Sequence, residues 1–171
     1  MNTTLFFIEP ANRPMRLTSY TDYALRTLMY LAINRDHLIT IQGIADLHNI
    51  SKNHLTKVAH QLGQLGLVET VRGRNGGLKL GREPDEINIG KVVRLTETDF
   101  YMAECFERGN KNCTYSSSCA LKGVLGSATD AYLQVLDAVT LKDLLKESSS
   151  RIGNGSAIKS LQFHAIEKKR K

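Results

Sequence analysis

All three cysteines of this chain lie in one polar stretch, CFERGNKNCTYSSSC, which places Cys105, Cys113 and Cys119 at C-x7-C-x5-C spacing. Structural zinc usually takes four N or S ligands in closely spaced pairs, and no histidine lies nearby, so zinc fits poorly. A disulfide would leave one thiol unpaired, and three free thiols would be open to oxidation. Thiolates are the usual ligands of iron–sulfur clusters, and loops of this length can wrap one. The spacing favours a cluster, with zinc and redox-active thiols as alternatives.

Three cysteines would leave one iron of such a cluster with a weaker ligand or with none. A small diffusible molecule can attack that iron. The pattern therefore indicates a sensor rather than an electron carrier, and the rest of the chain must supply what the sensor controls.

The first half of the chain has the apolar spacing of helices. A helix is predicted from Thr18 or Ser19, with Ala24, Leu28 and Leu31 on its inner face. A short second helix is predicted after Thr40. Asn49 suits the left-handed conformation of a tight turn.

A third, longer helix is predicted from a Ser51 cap to Gly66, with Leu55, Val58 and Leu62 inward. Two short strands, 67–71 and 78–80, follow it, and the connecting RGRNGG contains the hairpin signal Asn-Gly. Short helix, tight turn, longer helix and basic hairpin together predict a winged helix-turn-helix.

This arrangement predicts binding to double-stranded DNA. The third helix would enter the major groove by its N-terminal end, and the wing would lie against the backbone or the minor groove. The alternative is a winged helix that binds protein. The predicted DNA-binding residues are Ser51, Lys52, Asn53, His54 and Lys57 on the helix and Arg72, Arg74 and Asn75 in the wing.

The second half is predicted to be helical as well. A short helix should follow Asn88, with Val92, Val93 and Leu95 inward, and Thr140 should cap another. Between them, a long amphipathic helix starts at Ala120 and carries an apolar stripe of about five turns. So long a stripe on so small a domain predicts a homodimer; the alternative is packing onto the chain's own first helix.

The fold class predicted is therefore mainly α with a small β-hairpin wing, a winged helix-turn-helix followed by a long C-terminal dimerisation helix. The predicted divisions are an N-terminal extension (1–14), a DNA-binding domain (15–83), a cysteine loop with the dimerisation helix (84–146), and a flexible basic tail (147–171). The absence of long apolar runs predicts a cytoplasmic protein without membrane contact. No nucleophile–base pair or cofactor fingerprint suggests an enzyme.

Charge supports the DNA-binding interpretation. The 171 residues carry a net charge of +6. Residues 15–83 hold nine Lys/Arg against five Asp/Glu, and the tail 146–171 holds seven against two, whereas 84–145 is acidic. A basic front half and a basic tail around an acidic middle suggest a polyanionic partner.

Several segments resemble one family. RLTSYTDYALRTLMYLA, ISKNHLTKV, VRGRNGGLKLG and three cysteines before a long helix are similar to the winged-helix iron–sulfur cluster repressors, over about residues 15–146. SYTDYALR, SKNHLTKV and CALKGVL are most similar to the nitric-oxide-sensitive members. MAECFE and the C-x7-C spacing are also similar to the iron-responsive members.

The resemblance implies one cluster per subunit, 4Fe-4S or 2Fe-2S, held by the three cysteines. It further implies that Asp22 of the partner subunit holds the remaining iron, which would tie the sensor loop of one subunit to the DNA-binding half of the other. Arg26, at i+4, would orient that carboxylate.

The function implied is that of a homodimeric repressor that binds a palindromic operator when its cluster is loaded and releases it on nitrosylation. The alternatives are an iron-responsive or cluster-status regulator of the same family and a cluster-free thiol redox regulator.

Overall fold

The computed structural model describes residues 16–107, 109, 113, 115 and 119–151, with the backbone alone for 147–151. The predicted extension 1–14 and residues 152–171 of the predicted tail lie outside the described residues. The elements are α1 (Ser19–Ile33), α2 (Ile41–His48), α3 (Lys52–Gln64), β1 (Val68–Val71), β2 (Gly77–Leu80), α4 (Ile89–Thr96), a 3-10 turn (Glu104–Phe106), α5 (Ala120–Asp137) and α6 (Leu141–Arg151). The predicted fold class, helices with a two-stranded wing, is confirmed.

Side-chain caps fix the starts of three helices where the sequence predicted them. The Oγ1 of Thr40 accepts the N–H of Gly43 at 3.0 Å, and the Oδ1 of Asn88 accepts the N–H of Lys91 at 2.9 Å. Thr18 caps α1 in the same way. Such bonds satisfy donors that the first helical turn leaves unpaired.

One core joins α1, α2, α3 and α4. Leu28, Ile44, Leu55 and Val93 are fully buried within it, as their helical spacing predicted. Leu95 was predicted to face inward, and this is wrong: it is 47% exposed. Val92, Val93 and Thr96 form the buried face of α4, and Leu95 lies on the other side of the helix.

The wing is anchored to the body of the domain. β1 and β2 pair antiparallel, with Val68 opposite Leu80 and Val71 opposite Gly77. Ile39, just before α2, exchanges both backbone hydrogen bonds with Leu78, at 3.0 and 2.8 Å. The backbone of Ile39 passes so close to Gly77 that a Cβ there would lie 2.9 Å from its carbonyl oxygen. Glycine is therefore needed for this third partner to join the hairpin.

The end of α5 is joined to α4 by several polar contacts. The guanidinium of Arg94 forms a two-pronged ion pair with the carboxylate of Asp137, and the Asn88 side chain donates to the Asp137 carbonyl at 2.7 Å. A Cβ on Gly90 would overlap Asp137. These contacts fix the angle at which α5 leaves the domain.

Along its length α5 has two apolar faces. Leu125, Tyr132 and Leu136 are half-buried against the rest of the chain. The other face is exposed and follows 3–4–3–4 spacing, the spacing of a helix that packs against another helix. Its members are Leu121, Val124, Ala128, Ala131 and Val135, and this set is called the outer stripe. No residue of α5 is fully buried.

Candidate DNA interface and cysteine segment

The turn between α2 and α3 has the geometry that its sequence predicted. Asn49 adopts the left-handed conformation, with φ 52° and ψ 47°, and its N–H bonds back to the end of α2. Ile50 is buried directly after it, which fixes the direction in which α3 departs. A left-handed Asn allows so tight a reversal at little steric cost.

The five predicted DNA-binding residues of α3 lie together at its N-terminal end, and all are exposed. Because Leu55, Val58 and Leu62 turn to the core, the outward face is left to polar side chains. Ser51 precedes the helix as predicted, but its hydroxyl makes no capping hydrogen bond, so the predicted side-chain cap is wrong. The hydroxyl and the first N–H groups of α3 stay open to an external acceptor such as a phosphate. The five exposed residues predicted to bind DNA are Ser51, Lys52, Asn53, His54 and Lys57.

The wing places its two arginines in solvent. Arg72, Arg74 and Asn75 are exposed in the loop between β1 and β2. The sequence pointed to Asn75-Gly76 as the turn signal, whereas the left-handed residue of this loop is Gly73, at φ 113°, and the N–H of Gly76 donates to the Gly73 carbonyl at 3.0 Å. The loop is therefore wider than a two-residue hairpin turn, and it carries both arginines at its tip.

Basic side chains of α3 and of the wing are not neutralised by the acidic residues that the structure describes. Across the hairpin, Lys79 pairs with Glu69 at 2.8 Å, which neutralises the strands themselves. No ion pair forms at Lys52, Lys57, Arg72 or Arg74 within the part of the chain that the structure describes. Unpaired cations on one surface provide the positive potential that attracts a phosphate backbone.

Asp22 and Arg26 form a bidentate pair on the exposed side of α1. Nε of Arg26 donates to Oδ1 of Asp22 at 2.9 Å, and a terminal guanidinium nitrogen lies 2.9 Å from Oδ2. The contact expected between these two residues is therefore present. Both side chains are nearly half exposed, so either can change partner without disturbing the core.

The first turn of α1 also reaches α3. The hydroxyl of Tyr20 donates to the backbone carbonyl of Lys57 at 3.4 Å. Burial raises the pKa of Tyr20, which keeps the hydroxyl protonated as the donor. The sequence analysis missed this contact, because a tyrosine in an amphipathic helix gives no signal of which carbonyl it meets.

The three cysteines are free and half-buried. Cys105 lies in the 3-10 turn, Cys113 in the following loop, and Cys119 directly before α5. Next to Cys105, the ring of Phe106 lies 5.6 Å from the ammonium of Lys122 in the first turn of α5. This cation–π contact holds the start of the cysteine segment beside its end.

The three cysteine thiols are chemically suited to hold an iron–sulfur cluster. They are free and lie in one short segment, and Cys119 adjoins the N–H groups of a long helix, where negative charge is favoured. Among the described residues, no three or more His, Cys, Asp or Glu side chains are grouped closely enough to hold a metal ion. The ligand set Cys105, Cys113, Cys119 and Asp22 thus stays a prediction.

His48 was not singled out by the sequence analysis. It is the last residue of α2, its ring meets that of Tyr30 edge-on with centroids 6.1 Å apart, and its Nε2 is enclosed without a hydrogen-bond partner among the described residues. Burial, the largest cause, and the charge of Arg26 lower the pKa of His48, while Asp22 acts in the opposite direction. The ring is therefore held neutral at neutral pH.

Comparison with known proteins gives the family. A model of the Rrf2 family, described as "Iron-dependent Transcriptional regulator", matches residues 17–147. The chain belongs to the Rrf2 family. It is similar to the HTH-type transcriptional regulator NsrR of Bacillus subtilis, at 56% identity over 133 residues that make up 77% of this chain and 91% of the relative. NsrR of Shouchella clausii is 55% identical over 132 residues, 77% of this chain and 89% of the relative.

Solved structures show the same fold. CymR, the global cysteine regulator of B. subtilis, superposes with a TM-score of 0.63 at 27% identity, over 78% of this chain and 98% of CymR. IscR of T. potens gives a TM-score of 0.67 at 23% identity, over 85% and 96% of the two chains, and at that identity supports the fold alone. The family match and the NsrR relatives show that the chain is a DNA-binding transcriptional regulator and not an enzyme. No helix among its described residues is long and apolar enough to cross a membrane.

Proposed function

We propose that this Rrf2 protein is a cytoplasmic, homodimeric repressor that binds a palindromic operator in its cluster-loaded form and releases it in response to nitric oxide. One observation carries the proposal: a single helix, α1, holds Asp22 in its first turn and contacts the recognition helix through Tyr20. The same short segment thereby serves the expected cluster and the expected DNA interface.

The DNA-binding part of the proposal rests on α3 and the wing. Lys52, Lys57, Arg72 and Arg74 supply unpaired positive charge, and Asn53 and His54 supply groups that pair with base edges. The wing is tied to the domain through Ile39, so it approaches DNA as one body with α3.

The homodimer is supported by the outer stripe of α5. Leu121, Val124 and Val135 are 63%, 65% and 67% exposed, although they lie in register on one face. A second copy of α5 would cover them. A symmetric dimer presents two copies of α3, which matches a palindromic operator with half-sites about one helical turn apart.

Cys105, Cys113 and Cys119 would hold the cluster from one subunit, and Asp22 of the other subunit would complete it. When bound, such a cluster would supply one iron atom that is held by a carboxylate and not by a thiolate, and this weaker attachment is where nitric oxide would act. The segments SYTDYALR, SKNHLTKV and CALKGVL, which resemble the nitric-oxide-sensitive members of the family, favour nitric oxide over iron availability as the signal.

Coupling between the two halves would pass through α1. A carboxylate fixed to the partner subunit holds the first turn of α1, and Tyr20 in that turn holds the backbone of α3 at Lys57. When Asp22 is no longer attached to the partner subunit, the first turn of α1 can move, and the angle of α3 can change with it. To release an operator that is mostly occupied, this coupling must reach about 3 kcal/mol.

The test uses full-length protein purified without oxygen. Visible absorbance and the iron and sulfide contents are measured first, and nitric oxide is then titrated while operator binding is followed by mobility shift. A coloured protein with stoichiometric sulfide that loses its DNA during the titration is the expected result.

Two other results would contradict the proposal. A coloured protein that ignores nitric oxide but leaves its operator when iron is chelated would indicate an iron-responsive regulator. A colourless protein that binds its operator fully would indicate a thiol redox regulator. In that case a variant with all three cysteines replaced by serine should still bind DNA but no longer respond.

A further inference from the structure

The imidazole of His48 is in an unfavourable position. Its Nε2 is enclosed and has no hydrogen-bond partner within the described ranges. Enclosing an unpaired polar atom costs on the order of 1–3 kcal/mol, so such atoms are few in folded proteins. The His48 ring packs edge-on against Tyr30. A phenylalanine in place of His48 would make the same contact without enclosing an unpaired nitrogen.

One face of α1 leads from the proposed cluster ligand to this histidine. Asp22, Arg26 and Tyr30 are spaced four residues apart, so they lie in a row along the helix. Asp22 holds Arg26, and Tyr30 meets His48. Arg26 thus lies one helical turn from the carboxylate of Asp22 and one turn from Tyr30, the residue that contacts His48.

We propose, building on the function proposed above, that Arg26 has two alternative partners. It pairs with Asp22 while that carboxylate is free, and it donates to Nε2 of His48 once Asp22 is engaged by the cluster of the partner subunit. His48 is then a positioning residue for the helix-turn-helix and not a ligand of the cluster.

The chemistry of the pair supports the exchange. A neutral imidazole whose Nδ1 carries the proton accepts at Nε2, and the guanidinium is a permanent donor. Burial and, to a smaller extent, the charge of Arg26 lower the pKa of His48, which favours the neutral imidazole. Arg26 is 48% exposed, so its guanidinium can turn away from Asp22 without moving the core.

The exchange would act on the part of the domain that orients α3. His48 ends α2, and the left-handed Asn49 follows it as the turn into α3. An Arg26–His48 bond would fasten α1 to α2 one residue before that turn. Cluster occupancy would in this way stabilise one arrangement of the turn, in addition to the Tyr20 contact with α3.

The first test needs no cluster. Removing the carboxylate in Asp22→Ala should release Arg26 toward His48 in the cluster-free protein. Double-mutant cycles of Arg26→Gln with His48→Phe are measured by denaturant unfolding in the wild-type and the Asp22→Ala backgrounds. We expect no coupling in the wild-type background and about a tenfold effect on the unfolding equilibrium constant in the Asp22→Ala background.

Tyr30→Phe is the matched control. It keeps the ring that faces His48 and should show no coupling to Arg26→Gln in either background. The proposal is overturned if the Arg26–His48 coupling is absent in the Asp22→Ala background or equal in both. His48 would then be a packing residue.

A second measurement links the exchange to DNA. In cluster-loaded protein, His48→Phe should weaken operator binding about tenfold, whereas in cluster-free protein it should leave affinity unchanged and stability equal or higher. Equal affinity of the loaded wild-type and His48→Phe proteins refutes the exchange alone. If the loaded and cluster-free wild-type proteins bind the operator equally, the proposed function itself is wrong.

Discussion

Val135→Ala should weaken the homodimer while leaving the fold of each chain intact. The Val135 side chain lies on the outer stripe of α5 and is 67% exposed in the single chain. It therefore contributes little to the core, and a second copy would cover most of it. The expected loss is one of association and not of folding.

The magnitude follows from the area that association would cover. Val→Ala removes two methyl groups, worth about 1.6 kcal/mol when fully buried at about 0.8 kcal/mol per carbon. Association would newly cover only the exposed two thirds of the Val135 side chain, so the loss of association free energy is about 1 kcal/mol per subunit. A symmetric interface counts both copies, so the change is about 2 kcal/mol, or roughly a thirtyfold rise in the dimer dissociation constant.

Sedimentation equilibrium over a series of protein concentrations measures this constant directly. Leu136→Ala is the matched control, because Leu136 is the next residue but packs against the core. It should lower thermal stability at concentrations where the protein is monomeric, whereas Val135→Ala should not. An unchanged dissociation constant for Val135→Ala would refute the assignment of the outer stripe to the dimer.

Two further predictions concern the wing and the base of α5. Arg74→Ala should weaken operator binding and reduce the slope of log affinity against log salt by about one per subunit, because one phosphate contact is lost; an unchanged slope would remove this arginine from the phosphate footprint. At the base of α5, hydrogen bonding to Arg94 holds the pKa of Asp137 below its usual 3.8. Asp137 therefore adds stability that is fully present above its unfolded pKa of about 3.8 and is lost as the pH falls through the lower pKa of the folded state. Asp137→Asn should flatten the fall in melting temperature as the pH is lowered below about 5; an acid branch parallel to the wild type would contradict it.

Much of the DNA-binding half could be predicted from its sequence, because each element is encoded locally. Thr40 and Asn88 start helices through their own side chains, and Asn49 takes the turn conformation that few other residues tolerate. The exposure of the α3 N-terminus follows from the spacing of its core residues. Local chemistry and the overall fold agree at these points, which makes them predictable.

The errors have different causes. Ile89, Val92, Val93 and Thr96 follow the spacing of one helical face, and Leu95 lies outside that face although it is apolar. The wing contains several glycines, so the sequence does not say whether Gly73 or Asn75-Gly76 turns the chain. His48 was missed because its unpaired nitrogen is a property of the assembled α1–α2 contact and not of any motif.

The contact between the wing and Ile39 affects how the dimer recognises the spacing between the two half-sites of its operator. Since the hairpin is hydrogen-bonded to the residue that leads into α2, the wing would follow when the angle of α3 changes. The signal would then alter the separation between the two sets of DNA contacts that the dimer makes. One base pair of spacer shifts that separation by about 3.4 Å. Inserting or deleting central base pairs would therefore change the response to the signal, whereas substitutions within a half-site would weaken both states alike.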